Sequence, residues 1–291
     1  MLMKTVLLHD NYGINTAGHF TVAGIDTVGL AKEYGTPLYV FDEDKMRSMC
    51  QKYTHGAARY FKKAKILFAS KALSFKEIYR IADSEGLCAD TVSSGEIYTA
   101  LAAGFPPEKI HFHGNNKTVA DLEYAVKSGV GVIIADNLAE LDDLDEICAA
   151  ESKTASVVLR VTPGIDPHTH VKISTGKVDS KFGSAIETGQ ALEAVKYALA
   201  KKHIRLIGIH CHVGSQSFDP QPFLDAADIM MRFLAEIRER PARRFRCSTS
   251  AAASACGMCP TNRIWTSIIC YARLPRVYAT TVRFTVSKSR N

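Results

Sequence analysis

The sequence predicts an α/β fold, a run of βα units curling as a partial (β/α)8 barrel. Three observations predict it. Short β-rich runs alternate with amphipathic helical stretches from about residue 64 to 216. Most of those runs are apolar on both faces, as strands of a covered parallel sheet are. Ionisable and polar residues gather where the runs end, the face on which barrel enzymes hold their sites. A doubly wound open sheet fits the alternation too, and the strand-end cluster favours the barrel.

The strand candidates, in order, are Lys65–Ala72, Gly86–Ser93, Lys109–Gly114, Gly131–Asp136, Ser156–Thr162 and Arg205–His212. Between them the 3.6-residue apolar period marks helices over Ser74–Ser84, Gly95–Ala103, Val119–Ser128, Leu138–Ala149 and Ile186–Lys202. Six units are visible where a closed barrel needs eight over ~250 residues. Ahead of them Thr36–Asp42 (TPLYVFD) reads as a strand outside the barrel, part of a second, β-rich domain. The resulting division is 1–40 as the N-terminal segment of a β-domain, 41–240 as an incomplete barrel, and 241–291 as an aberrant tail.

Composition narrows the function classes. The net charge of +6 resides in the tail: from Pro241 to Asn291 there are nine Arg and Lys and no acid, leaving 27 basic against 30 acidic residues before it. A mildly acidic body argues against nucleic acid as a partner. No apolar run nears the ~20 residues that span a bilayer, and the apolar start is too short for a secretion signal, so neither a membrane nor export is expected and the chain reads as cytoplasmic. Cys50, Cys88, Cys148 and Cys211 are too scattered for a disulfide framework or a zinc site.

The strand ends carry the residues that could do chemistry. Lys71 closes Ile66–Ser70 and is either snorkelling from a strand end or held in a pocket, where burial would make its amine nucleophilic. His210 and His212 face one way and could ligate a metal, or sit in the core; the Gly214-Ser215 pair after them offers N–H groups and a hydroxyl to a phosphate. His113-Gly114-Asn115-Asn116-Lys117 is a strand-end loop rich in hydrogen-bonding groups, or simply a capped turn. Residues 160–183 form a long polar insertion, of the kind that tends to be a lid or disordered. Nothing nearby completes a ligand set for its His168 and His170, so no metal is expected.

Taken together, Phe68-Ala69-Ser70-Lys71-Ala72, Asp90–Glu96 (DTVSSGE), HGNNK, PGIDPHTH with STG and DSKFG, and HCHVGSQ, in this order, resemble the diaminopimelate decarboxylase family. These are fold-type III, alanine-racemase-like pyridoxal-phosphate enzymes, and the resemblance covers about residues 20–240. It implies pyridoxal 5'-phosphate as cofactor and an amino-acid substrate, meso-2,6-diaminopimelate, converted to L-lysine and carbon dioxide. Ornithine- or arginine-type decarboxylation and a non-catalytic cofactor-binding homologue are the alternatives. It further implies that Lys71 carries the cofactor as a Schiff base, that His212 stacks on its ring and that Ser215 bonds its phosphate. Asp90 becomes the acid near the Schiff base, Arg160 a residue beneath the ring, and Asn115, Lys181 and Phe182 part of the substrate cleft. Full-length members are homodimers.

After about Arg240 the resemblance stops, before the family's glycine-rich phosphate loop, its Glu-Pro-Gly-Arg segment and its β-domain. Codons for Thr249–Cys256, read one base out of frame, can spell Leu-Gly-Gly-Gly-Phe-Gly-Met. A frameshifted tail is therefore expected, poorly ordered and without regular βα units, on a chain that is by itself a poor enzyme or none.

Overall fold

The computed structural model describes residues 9–61, 63–165, 182–214, 221–239, 250–254 and 267–271. Near the N-terminus β1 (Tyr12–Ile14), β2 (Phe20–Val22) and β3 (Ile25–Asp26) form a small antiparallel sheet, followed by α1 (Thr27–Tyr34) and α2 (Glu43–Ala58). Five strand-plus-helix units follow. They are β4 (Leu67–Ala69) with α3 (Lys76–Ser84), β5 (Cys88–Thr91) with α4 (Ser94–Ala102), and β6 (Ile110–Phe112) with α5 (Val119–Lys127). Next come β7 (Val132–Ala135) with α6 (Leu138–Ala150), then β8 (Ala155–Thr162), the short β9 (Ser184–Ala185) and α7 (Gln190–Ala200). A sixth unit is β10 (Ile204–His212) with α8 (Gln221–Glu239), ahead of β11 (Ser250–Ser254) and β12 (Ser267–Tyr271).

The main sheet runs β11-β12-β10-β8-β7-β6-β5-β4, and every pair from β4 to β10 is parallel. This is the predicted α/β architecture, with six consecutive barrel-type strands and their helices where the alternation placed them. Side chains alternate between two apolar clusters. Ala89, Ile110, Phe112, Ile133, Val157, Leu159 and Ile209 face the helices in the larger one. Leu67, Cys88, Val132, Ile134 and Val158 meet in the smaller one on the opposite, concave face. Each fully buried aliphatic side chain contributes about 1.5–3 kcal/mol.

Several helices start where short polar side chains satisfy their first N–H groups. Ser93 accepts from Glu96 N, Asn137 from Glu140 N, and Thr118 and Asp121 form a reciprocal capping box on α5. Gly131 opens β7 because a Cβ there would lie 2.1 Å from the Glu108 carbonyl oxygen.

One expectation is corrected. Thr36–Asp42 is not a strand. Pro37 has no N–H to give a ladder, no described strand lies alongside, and Tyr39 is 98% exposed. The N-terminal strands lie earlier, at β1 to β3. In the tail, β11 pairs antiparallel with β12, itself antiparallel to β10. The open edge of β10 offers unpaired backbone groups, and backbone pairing needs no side-chain periodicity. Among the described residues the tail adds no parallel strand; the rest of it, and so most of the expectation of poor order, lies outside them. No described helix is long and apolar enough to cross a membrane.

Candidate functional site

The alternation that makes the concave face apolar at one end makes it ionisable at the other. Two residues on from Cys88 comes Asp90, two on from Ile134 comes Asp136, and two on from Val158 comes Arg160. Strand register sets these side by side: Ala69 pairs with Asp90, Asp90 with His111, and Arg160 with His210. Lys71 sits two residues beyond Ala69, exposed on a 3-10 turn over Ser70–Ala72.

Asp90 is the electrostatic centre. Burial pushes its carboxyl up to about 7, against the pull of Lys71 and Arg160 and with a push from Glu96. Its Oδ1 lies 3.5 Å from His113 Nε2, beyond good hydrogen-bond distance, and is buried without a hydrogen-bond partner. His113 in turn meets His210 edge-to-face, ring centroids 4.6 Å apart. Burial holds both imidazoles well below their ordinary range and takes His111 down to about 3, so all three are neutral at neutral pH. Glu96 is raised by burial while accepting from Val92 N at 2.7 Å.

Arg160 is held from two sides. Its Nη1 donates to Asp136 Oδ1 at 3.3 Å, and its guanidinium lies 4.5 Å from the Phe182 ring centroid. Burial lowers its pKa and the Asp136 carboxylate opposes that fall. The polar insertion leaves the end of β8 and returns to it, since β9 pairs with Val161 and Thr162 and the Thr162 hydroxyl donates to Phe182 O at 2.7 Å. Gly183 makes the return possible: its φ is +69°, a Cβ would meet the Arg160 carbonyl oxygen at 2.8 Å, and its N–H donates to Asp136 Oδ2 at 3.3 Å.

Of the sequence-derived candidates, Lys71, Asp90 and Arg160 share one electrostatic neighbourhood and Phe182 joins it through Arg160. His212 ends β10, where its ring influences His210. Asn115 is exposed in the β6–α5 connection. Ser215, Lys181, His168 and His170 lie outside the described residues. Sequence reasoning passed over Asp136, the partner of Arg160, and the imidazole of His111; His210, a candidate metal ligand or core residue there, is buried. The signal was available in the two-residue spacing of Val132, Ile134 and Asp136, and of His111 and His113.

Residues 46–242 match the family described as pyridoxal-dependent decarboxylase, pyridoxal binding domain. Among curated proteins, the chain is 45% identical over 232 residues to diaminopimelate decarboxylase of Bacillus methanolicus, covering 80% of this chain and 54% of that protein. To the Bacillus subtilis enzyme of that name it is 42% identical over 234 residues, covering 80% and 53%. Among solved structures it resembles diaminopimelate decarboxylase from M. jannaschii, with a TM-score of 0.73 and 35% identity, covering 80% of this chain and 54% of that one. The M. jannaschii enzyme has also been crystallised in complex with L-lysine. The chain thus spans about half the length of the curated relatives it matches.

Proposed function

This chain belongs to the pyridoxal-dependent decarboxylases, with residues 46–242 as its pyridoxal-binding domain, and from that premise we propose that it carries the cofactor-holding half of a diaminopimelate decarboxylase centre. The reaction is removal of carbon dioxide from meso-2,6-diaminopimelate to leave L-lysine. The observation that carries the reading is the convergence of an amine, a proton-holding carboxyl and a guanidinium, Lys71, Asp90 and Arg160, at one end of the parallel strands. Identity of 45% to a diaminopimelate decarboxylase supports the substrate, and the lysine complex of the M. jannaschii relative supports the product.

The residues present fit a pyridoxal group. The exposed Lys71 amine is free to hold its aldehyde, Asp90 Oδ1 is a buried acceptor with no hydrogen bond of its own, and Arg160 places a cation beside it. When bound, the group supplies an electron sink for the pair released as carbon dioxide departs. Lys71 would anchor the group and would yield it to the substrate amine. Asp90, poised near neutrality, holds or releases a proton beside that amine. Arg160, kept in place by Asp136 and Phe182, adds its positive charge to that of Lys71 in drawing Asp90 toward its ionised form. By the family resemblance His212, at the end of β10, would stack on the ring, and Ser215 would bond the phosphate.

The test is direct. The purified chain is mixed with pyridoxal 5'-phosphate, treated with borohydride and digested, and the adduct is located by mass spectrometry. It is expected on Lys71 and absent from Lys71→Ala; an adduct elsewhere, or none, overturns the assignment. Meso-diaminopimelate is expected to change the visible absorbance of the bound cofactor, whereas ornithine and arginine leave it unaltered. The reverse order would place this chain with the ornithine or arginine enzymes.

A further inference from the structure

Behind the ionisable rim lies a second charged pair that the proposed chemistry does not use. Lys117 and Glu140 meet at 2.7 Å with side chains only 1% and 4% exposed. Lys117 Nζ also donates to the Ile134 carbonyl at 2.9 Å and to the Gly114 carbonyl. Glu140 Oε2 accepts from the Asp136 N–H at 3.2 Å. The lysine thus ties the loop after β6 to the end of β7, and the carboxylate ties the start of α6 to the residue that holds Arg160. Burial pulls the lysine down and pushes the carboxyl up, and in each case the partner opposes the shift.

A pair this dry is a poor source of stability. Removing two charges from water costs several kcal/mol per ion, and well-packed apolar replacements are often neutral or stabilising. Its value has to be sought in geometry, and the geometry runs in one direction. Both oxygens of Asp136 are committed, Oδ1 to Arg160 and Oδ2 to Gly183 N. The Asp136 N–H is in turn held by the Glu140 carboxylate, and Lys117 holds the carbonyl of Ile134, two residues before it.

We infer that Lys117 and Glu140 are positioning residues, an internal strut that fixes Asp136 and through it the Arg160 guanidinium against the cofactor. The inference rests on the cofactor reading above and adds to it two residues that do not touch the group.

The experiment is a double-mutant cycle on the full chain, read as affinity for pyridoxal 5'-phosphate with the melting temperature alongside. Lys117→Met/Glu140→Leu removes the strut while filling its space, and Arg160→Lys removes its target. Affinity is expected to fall about tenfold on losing the strut in the parent and by less than about twofold when Arg160 is already Lys, with coupling in the range found for residues of one network. Should the apolar pair melt early, Glu140→Gln carries the same cycle with an expected loss of about threefold, because its amide oxygen still accepts from Asp136 N–H. Unchanged affinity, or an equal loss in both backgrounds, overturns the strut. If the parent itself shows no adduct at Lys71, the cofactor reading falls and the strut with it; an adduct in the parent with an additive cycle sinks the strut alone.

Discussion

Asp90 and the imidazoles around it answer to pH in opposite senses. The folded carboxyl titrates at about 7 against an ordinary 3.8. Its contribution to stability is therefore whole below the ordinary value and lost as pH rises to about 7, at roughly 1.4 kcal/mol per unit. His111, His113 and His210 are depressed by burial. Their contribution is present above the ordinary histidine range and lost as pH falls through it. Asp90→Asn in the cofactor-free chain should accordingly melt above the parent at about pH 8, with the gap narrowing as pH falls below about 7 and closing only toward about pH 4. A gap that stays constant or widens toward acid contradicts the raised carboxyl. His111→Leu should move the acid-unfolding midpoint to lower pH, since it removes a ring that must charge inside an apolar setting.

At the scale of elements, caps and core make separable predictions. Thr118→Ala removes half of the α5 capping box and should cost about 1 kcal/mol in denaturant unfolding. Phe112→Ala, deep between sheet and helices, should cost about 3–5 kcal/mol. A larger loss at Thr118 than at Phe112 would mean that helix ends, not packing, hold these units. Elements of this kind were legible in the sequence. A strand covered on both faces has to be a continuous apolar run, as Val132–Ala135 is, and a helix lying on it has to repeat every 3.6 residues. The ionisable rim was legible for the same reason, because parallel strands deliver all their last residues to one end. What escaped notice lacked such a constraint. β1 to β3 are two or three residues long and carry no periodicity. TPLYVFD has strand composition and no described strand to pair with. The service of Glu140 and Lys117 depends on contacts between different units, which spacing along one segment cannot reveal.

At the scale of the whole molecule, the main sheet is open among the described residues. There β4 is bonded on one side only, by β5, so its other edge presents N–H and C=O groups without a described partner. The chain should self-associate with rising concentration, visible as light scattering that grows while helix content holds. A strictly monomeric sample at high concentration would contradict this. The charge asymmetry belongs to the same scale: all the excess positive charge of the sequence lies after residue 240. We propose that residues 241–291 come from a shifted reading frame. The coding sequence around codons 240–260 checks this, since a one-base change should restore a glycine-rich loop and a continuing frame. If neither frame encodes that loop, the tail needs another origin.

The antiparallel attachment of β12 to β10 has a consequence for any closed form of this barrel. The hydrogen-bonding groups along that side of β10 are already spoken for by a strand running against the grain. A partner arriving in the parallel sense cannot be added to this edge; it can only be swapped in. Closure would then be a displacement reaction, limited by how fast five residue pairs between Gly208–His212 and Ser267–Tyr271 peel apart, and not by how fast a new strand diffuses to the sheet.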